Sequence, residues 1–245
     1  GEKFEHDFID FIRKYGIKDL YTSSFYPFRT EEERWAYWAK HIYFSYYENK
    51  HTDLYQNLYN LVKEKKYFVI TTNTDGQFIN NGFDKEKVFE VQGSYSKLQC
   101  STPCHNKLYD NEEQVKEWLS NIDSDLKIPS NLVPKCPVCG ESMSVNLRCD
   151  DTFVEDDNWY KMQNKYDDFI KNNANKKVLL LEFGIGFNTP GIIRFPFEQM
   201  TFMHDNFNLI RFNNKYAMVP EEIQNRSISV TDSISETIDL IEKLK

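Results

Sequence analysis

The chain has 245 residues, Lys plus Arg 30 against Asp plus Glu 38, and a net charge of −8. Its pI is 5.3 and its mean hydropathy −0.66, so bulk electrostatics argue against nucleic-acid binding, and no apolar run nears the ~20 residues of a spanning helix. Aromatics make up 16% of the residues, which excludes a disordered chain, and GEKFEHDFID has neither the basic start nor the apolar stretch of a signal peptide. A globular protein of one to two domains is expected, in the cytoplasm, with no membrane contact.

Phe4, Phe8, Phe11, Ile12 and Tyr15 recur at helical spacing, with Gly16 as a stop. Thr30 and Glu33 form a capping box before the aromatic run Trp35 to Tyr47, and a third helix is expected over 52–65. Residues 1–66 thus read as a helical segment on the core. Tyr67 to Thr72 is short, apolar and β-branched, a buried strand broken by Asn73-Thr74-Asp75-Gly76. Val88 to Val91 reads as a second strand, stopped near Gly93. Residues 95–148 are polar, with few apolar runs, and read as a small metal-organised insertion. A helix is expected over 157–171. Val178 to Phe183 is the most hydrophobic strand, ending at Gly184-Ile185-Gly186, and Phe207 to Phe212 is the next, stopped by Asn213-Asn214. Ser227 to Val230 is a short last strand, and Ser233 with Glu236 caps a closing helix lined by Ile234, Ile238, Ile241 and Leu244.

Buried strands alternating with helices predict an α/β fold. The expectation is a Rossmann-like parallel sheet with helices on both faces, spanning 67–94 and 149–245, plus the zinc-binding small domain 95–148. In such sheets ligands sit beyond the carboxyl ends of the strands, which singles out Asn73, Asp75, Gly184, Gly186 and Asn213.

Cys100 and Cys104 form one close pair and Cys136-Pro-Val-Cys139-Gly another, with 31 residues between Cys104 and Cys136. Paired thiolates on tight turns suit one structural zinc, with no open position for water. His105 is an alternative fourth ligand, and the lone Cys149 reads as a small buried residue rather than a nucleophile.

In order, Thr71-Thr72-Asn73-Thr74-Asp75, Gln92-Gly93, two cysteine pairs, Gly184-Ile185-Gly186 and Asn213 resemble the motifs of sirtuins, NAD-consuming deacylases and ADP-ribosyltransferases. The family reads T-Q-N-x-D, H-G, G-T-S and I-N at these places. The departures at Thr72, Gln92 and Gly184-Ile185-Gly186 resemble the macrodomain-linked, class M branch. The family's glycine-rich G-A-G-x-S loop, which holds the NAD pyrophosphate, is expected just before Gly1, and without it the piece is expected to bind NAD poorly.

The resemblance implies that Asn73 contacts the nicotinamide ribose, with Thr72 beside it, and that Asp75 bonds the carboxamide. Asn and Asp also favour turns, so a purely local role is the alternative. It further implies that Gly184 and Gly186 admit the adenosine side of NAD and that Asn213 binds its ribose. Asp232 is left between an adenine contact and a helix cap. The family histidine acts as a base towards a ribose hydroxyl. Gln92 cannot, and favours transfer to an already ionised carboxylate over deacylation. The implied activity is NAD-dependent protein ADP-ribosylation. The implied partners are a lipoyl-carrier protein of the glycine-cleavage H type, a macrodomain hydrolase and a lipoate ligase. The alternatives are an NAD-dependent deacylase or delipoylase, and a non-catalytic NAD or ADP-ribose sensor.

Overall fold

The computed structural model describes residues 2–48 and 51–244. Helices α1 (Glu2–Asp7), α2 (Ile9–Tyr15), α3 (Leu20–Ser23) and α4 (Glu31–Ile42) lead into a π-helical turn, Tyr43–Tyr47. Then come α5 (Asp53–Val62), β1 (Val69–Thr71), α6 (Gln77–Asn80), β2 (Val88–Glu90), β3 (Gly93–Cys100), β4 (Tyr109–Asp110), α7 (Glu112–Ser120) and β5 (Met143–Leu147). The remainder is α8 (Asp157–Asn173), β6 (Val178–Phe183), α9 (Arg194–Met203), β7 (Phe207–Phe212), β8 (Ser227–Val230) and α10 (Ile234–Lys243).

The caps explain several boundaries. Thr30 Oγ1 accepts from Glu33 N at 3.3 Å, but the Glu33 carboxylate returns to Arg29 N (3.1 Å), one residue earlier than a reciprocal box requires. Thr52 and Ser233 accept from the N–H groups of Tyr55 and Glu236, both at 3.4 Å. Gly16, at φ 67°, closes α2 in the left-handed region.

The chain forms two compact units. The first holds the described residues up to Glu48, with Thr74–Gly76 and Gly93–Asp157. The second holds His51–Asn73, Gln77–Gln92 and the chain from Asn158 onward. The expected helical segment 1–66 is therefore shared, its first part lying with the cysteine-bearing segment. Aromatic packing is the reason: Trp35 of α4 meets Trp118 of α7 with ring centres 4.9 Å apart, both buried beside Phe8, Phe11 and Tyr37.

In the first unit β3 pairs antiparallel with both β4 and β5, Leu98 opposite Val145 and Cys100 opposite Met143. The cysteine-bearing segment thus also carries an antiparallel sheet, which the sequence pattern did not reveal. Its strands read as polar because the core there contains an amide pair: Gln99 Oε1 accepts from Asn146 Nδ2 (2.6 Å) and from Val154 N (3.0 Å). Satisfied by one another, buried amides replace an apolar run.

The second unit has the expected parallel architecture. β1 pairs with β2, and β6, β7 and β8 pair in sequence order, every pairing parallel. Leu180 and Leu209 pack with Ile193 and Phe197 of α9, while Phe183 packs with Leu58 of α5 and Ile238 of α10. Leu180 and Phe183 point to opposite faces of β6, so helices cover both sides. Ile70 of β1 joins the Leu180 cluster and Val69 the Leu58 cluster, which ties the two sheets to common cores.

Candidate functional site

Because β1 and β2 run parallel with Thr71 opposite Glu90, the segments that follow leave from the same edge, and Val91 N donates to Thr71 O at 3.1 Å. Asn73 and Gln92 lie immediately beyond. Asn73 is exposed; its N–H donates to Thr71 Oγ1 (3.0 Å) and its Nδ2 reaches Tyr55 Oη (3.5 Å). Thr72 and Gln92 are half-buried.

The same logic holds for β6 and β7. Phe183 pairs with Phe212, and Gly184 N donates to Phe212 O at 2.8 Å. Gly184 adopts φ 67°, which any larger residue would adopt only under strain, and a Cβ on Gly184 or Gly186 would meet nothing within 4 Å. The loop thus presents open space beside bare backbone. Asn213 is buried and largely committed: Nδ2 donates to Ile185 O (2.9 Å), and Oδ1 accepts from Lys215 N (3.0 Å) and Tyr216 N (2.9 Å). It braces the two loops against each other, and its second amide N–H is available to the ribose contact that the family resemblance implies.

Beneath these loops lies a feature the sequence reading missed. Glu182 and Arg211 face each other across β6 and β7, both fully buried, with Oε1 to Nε at 2.7 Å and Oε2 to Nη2 at 2.9 Å. Arg211 Nη1 also reaches Glu198 (2.8 Å), and Arg194, 2% exposed, lies 3.7 Å from both Glu182 and Glu198. Arg194 donates to Ile185 O (3.4 Å), Tyr216 O (2.9 Å) and Met218 O (3.0 Å), so one guanidinium holds both loops. Burial, then the charge of Arg211, pushes the Arg194 pKa down, and the two glutamates oppose this. A charged residue inside each of the two most apolar strands was the available signal, since buried charges come in pairs.

Asp75 sits in the first unit, on the turn Thr74–Gly76. Thr74 O accepts from Tyr95 N at 3.0 Å. The Tyr95 phenol is pushed up by burial, an effect the Thr74 hydroxyl opposes and the charge of Asp75 reinforces. Asp232 is exposed beside the cap residue Ser233.

The four cysteines come together as expected. The sulfurs of Cys100, Cys104, Cys136 and Cys139 all lie within 4.8 Å of one another, with Cys100–Cys139 and Cys104–Cys136 at 3.6 Å. Tetrahedral thiolates at ~2.3 Å from zinc are ~3.8 Å apart, so the donors fit that ion. Burial pushes the Cys100 thiol up, but the Thr102 hydroxyl and the amides of residues 102 and 104 outweigh it and bring it down to about 6. Burial and the adjacent sulfurs push Cys104 up, because four thiols this close ionise together only around a cation. His105 stands outside this set, its Nδ1 3.0 Å from Cys104 Sγ and its Nε2 3.0 Å from Tyr109 Oη. Cys149, expected to be buried, is exposed, its thiol directed at Leu147 O (3.3 Å).

Two open concavities of about 490 and 560 Å³ lie elsewhere, one around Asp10, Lys14 and Asp123, the other around Lys65 to Phe68 at the starting end of β1.

Comparison with known proteins supplies the remaining constraint. A Sir2 family profile matches residues 8–180. A protein ADP-ribosyltransferase of Staphylococcus aureus is 35% identical over 239 residues, 97% of this chain and 76% of that protein. A probable bifunctional ADP-ribose hydrolase/ADP-ribosyltransferase of Fusarium oxysporum f. sp. cubense is 31% identical over 246 residues, 93% of this chain but only 40% of its own length. Among solved structures, a Sir2–p53 peptide–NAD+ complex shares the fold at TM-score 0.54 and 17% identity, over 92% of this chain and 89% of that one. A Sir2 homologue–NAD complex matches at 0.54 and 16%, over 87% of this chain and 71% of that one. No helix among the described residues is long and apolar enough to cross a membrane.

Proposed function

The chain belongs to the Sir2 family, and from that membership we propose that it is an NAD-dependent protein ADP-ribosyltransferase. The observation that carries the reading is its 35% identity, over 97% of its length, to a protein ADP-ribosyltransferase. Gln92 supports it from the residues.

NAD is the co-substrate, and the strand ends supply its contacts. Asn73 holds the nicotinamide ribose, with Thr72 binding the cofactor beside it, and Asp75 bonds the carboxamide. Gly184 and Gly186 leave room for the adenosine half, in loops that Arg194 and Asn213 hold in place. The C1′–N bond breaks with its electron pair going to the pyridinium, so nicotinamide leaves neutral. An acceptor carboxylate then forms the new C1′–O bond. It is already ionised at neutral pH, so no base is required, and Gln92 orients a hydroxyl or the acceptor by hydrogen bonding. A ribose hydroxyl that must lose its proton, as in deacylation, finds no base at this position. Cys100, Cys104, Cys136 and Cys139 would hold one zinc with no ligand position left over, so the metal would serve the fold of the first unit and not the reaction.

We place the chain in the macrodomain-linked branch. Gln92 and Gly184-Ile185-Gly186 support this, as does the Fusarium relative, whose name joins a hydrolase to the transferase. The acceptor is then a lipoyl-carrier protein of the glycine-cleavage H type, with a macrodomain hydrolase and a lipoate ligase as companions in the cytoplasm. The test is mass spectrometry of lipoylated and unlipoylated carrier after incubation with NAD and the full-length protein. Gain of ADP-ribose supports the proposal; loss of the acyl group with no such gain refutes it.

A further inference from the structure

The first unit contains an irregular element that this function does not use. After α4 the helix widens into a π turn, Tyr43–Tyr47, in which Glu48 N donates to Tyr43 O at 2.8 Å. Such turns insert an extra residue into a helix and redirect the side chains that follow, and they concentrate at functional sites. Here two consecutive tyrosines are redirected, with ring centres 5.1 Å apart.

Tyr46 lies against Gly76. A Cβ on Gly76 would come within 2.4 Å of the outer edge of the Tyr46 ring, which would have to shift, and Gly76 adopts φ 66°, where any other residue is strained. Tyr47 reaches the same turn through a chain of bonds. Its hydroxyl donates to Asn111 Oδ1 (2.6 Å), Asn111 Nδ2 donates to Tyr95 O (2.9 Å), and Tyr95 N donates to Thr74 O (3.0 Å). Asn111, the link between the two tyrosines, is 1% exposed, so its amide is shielded from water. The Tyr95 ring is held in turn by His41, at 4.8 Å between centres, and by Trp38. Thr74 is tied on one side of Asp75 and Gly76 is pressed on the other.

We propose that the π turn Tyr43–Tyr47 is a positioning device for Asp75, with Tyr46 and Tyr47 fixing the Thr74–Gly76 turn and so the direction in which the carboxylate meets the nicotinamide carboxamide. This rests on the role given to Asp75 above. Tyr46 and Tyr47 are positioning residues, acting only through the turn.

The experiment is a mutant cycle on nicotinamide release by the full-length protein, with kcat and KM for NAD measured separately. Misplacing a reacting group by about 1 Å costs ~10²-fold, so Tyr46→Ala should lower kcat by ~10- to 100-fold with KM changed less than ~3-fold. Tyr46→Phe, which keeps the ring, should restore the rate. Asp75→Asn/Tyr46→Ala should be no slower than Asp75→Asn alone, because Tyr46 has nothing further to position. If Tyr46→Ala fails to fold, Tyr47→Phe decides: it removes only the hydroxyl bond to Asn111 and should lower kcat several-fold at unchanged zinc content. Two results overturn the proposal. Additive losses in the double variant, or wild-type kcat in both Tyr46→Ala and Tyr47→Phe, refute the positioning role. Wild-type rate in Asp75→Asn, or no NAD turnover by the wild type, refutes instead the reading of Asp75 on which it rests.

Discussion

Replacing Glu182 by Leu removes the carboxylate that faces Arg211 at 2.7 and 2.9 Å and Arg194 at 3.7 Å. Two guanidiniums, 0% and 2% exposed, are then left with Glu198, 17% exposed, as their nearby counter-charge. Neither arginine can deprotonate to escape the penalty, and stranding one buried charge costs about 3–5 kcal/mol. For a chain of this length that corresponds to a fall of roughly 6–20 °C in melting temperature. The second expected effect is local. Arg194 keeps its backbone acceptors Ile185 O, Tyr216 O and Met218 O but loses a fixed counter-ion, so the loops proposed to contact NAD should loosen and KM for NAD should rise. Urea unfolding at neutral pH measures the first effect, and NAD titration of the folded variant the second. The double variant Glu182→Leu/Arg211→Met removes both charges and should recover most of the lost stability, since apolar replacements of a buried pair are often neutral. A loss below about 1 kcal/mol in the single variant, or a double variant as unstable as the single, would refute the reasoning.

Elemental analysis should find one zinc per chain, with Zn–S distances of ~2.3 Å by X-ray absorption; a strong chelator should unfold the first unit cooperatively, and zinc-free folded protein would exclude the site. Asn73→Ala should cut transfer by about 10²-fold, whereas Gln92→His restores an imidazole of ordinary pKa ~6.5 and should shift the product ratio towards deacylation; an unchanged ratio in a variant that binds NAD normally would count against the base argument. Acid should destabilise the fold through His41, whose pKa burial pushes down to about 3. Its folded value lies below the unfolded one, so the unfolded chain takes up the proton first and stability falls as pH drops from ~6.5 towards 3, by about 2 kcal/mol at pH 5. His41→Phe should flatten that limb of the urea midpoint against pH, and a variant with the same slope would remove His41 as the cause.

The strands β1, β6, β7 and β8 were legible because each is a short run of apolar or β-branched residues between turn formers. The cysteine pairs were legible because each lies on a local turn whose spacing survives in the sequence. What escaped is non-local. β3 and β5 stay in the core through Gln99 and Asn146, which read as polar until each is seen to satisfy the other. Glu182 and Arg211 are 29 positions apart and oppose each other only through strand register. The π turn leaves no trace in a 3.6-residue period, and the expected aromatic helix running to Tyr47 stops as an α-helix at Ile42. Asn213 shows the same limit: its place after β7 was legible, but its bracing of Ile185 O depends on how two loops meet.

The pairing of α5 with α10 bears on how the protein is made. Asn57 Nδ2 donates to Asp239 Oδ1 at 2.7 Å across 182 positions, and Leu58 shares a core with Ile238. During synthesis the apolar face of α5 leaves the ribosome long before its cover exists; at ~5–20 residues per second the wait is on the order of ten to forty seconds. Among the described residues the strands of the first unit are complete by residue 147, whereas the second unit's Leu58 core closes only when α10 arrives. Nascent chains stalled short of residue 234 should therefore bind chaperones through α5, and the burden on the quality-control machinery should fall on this one helix rather than on the zinc-bearing half.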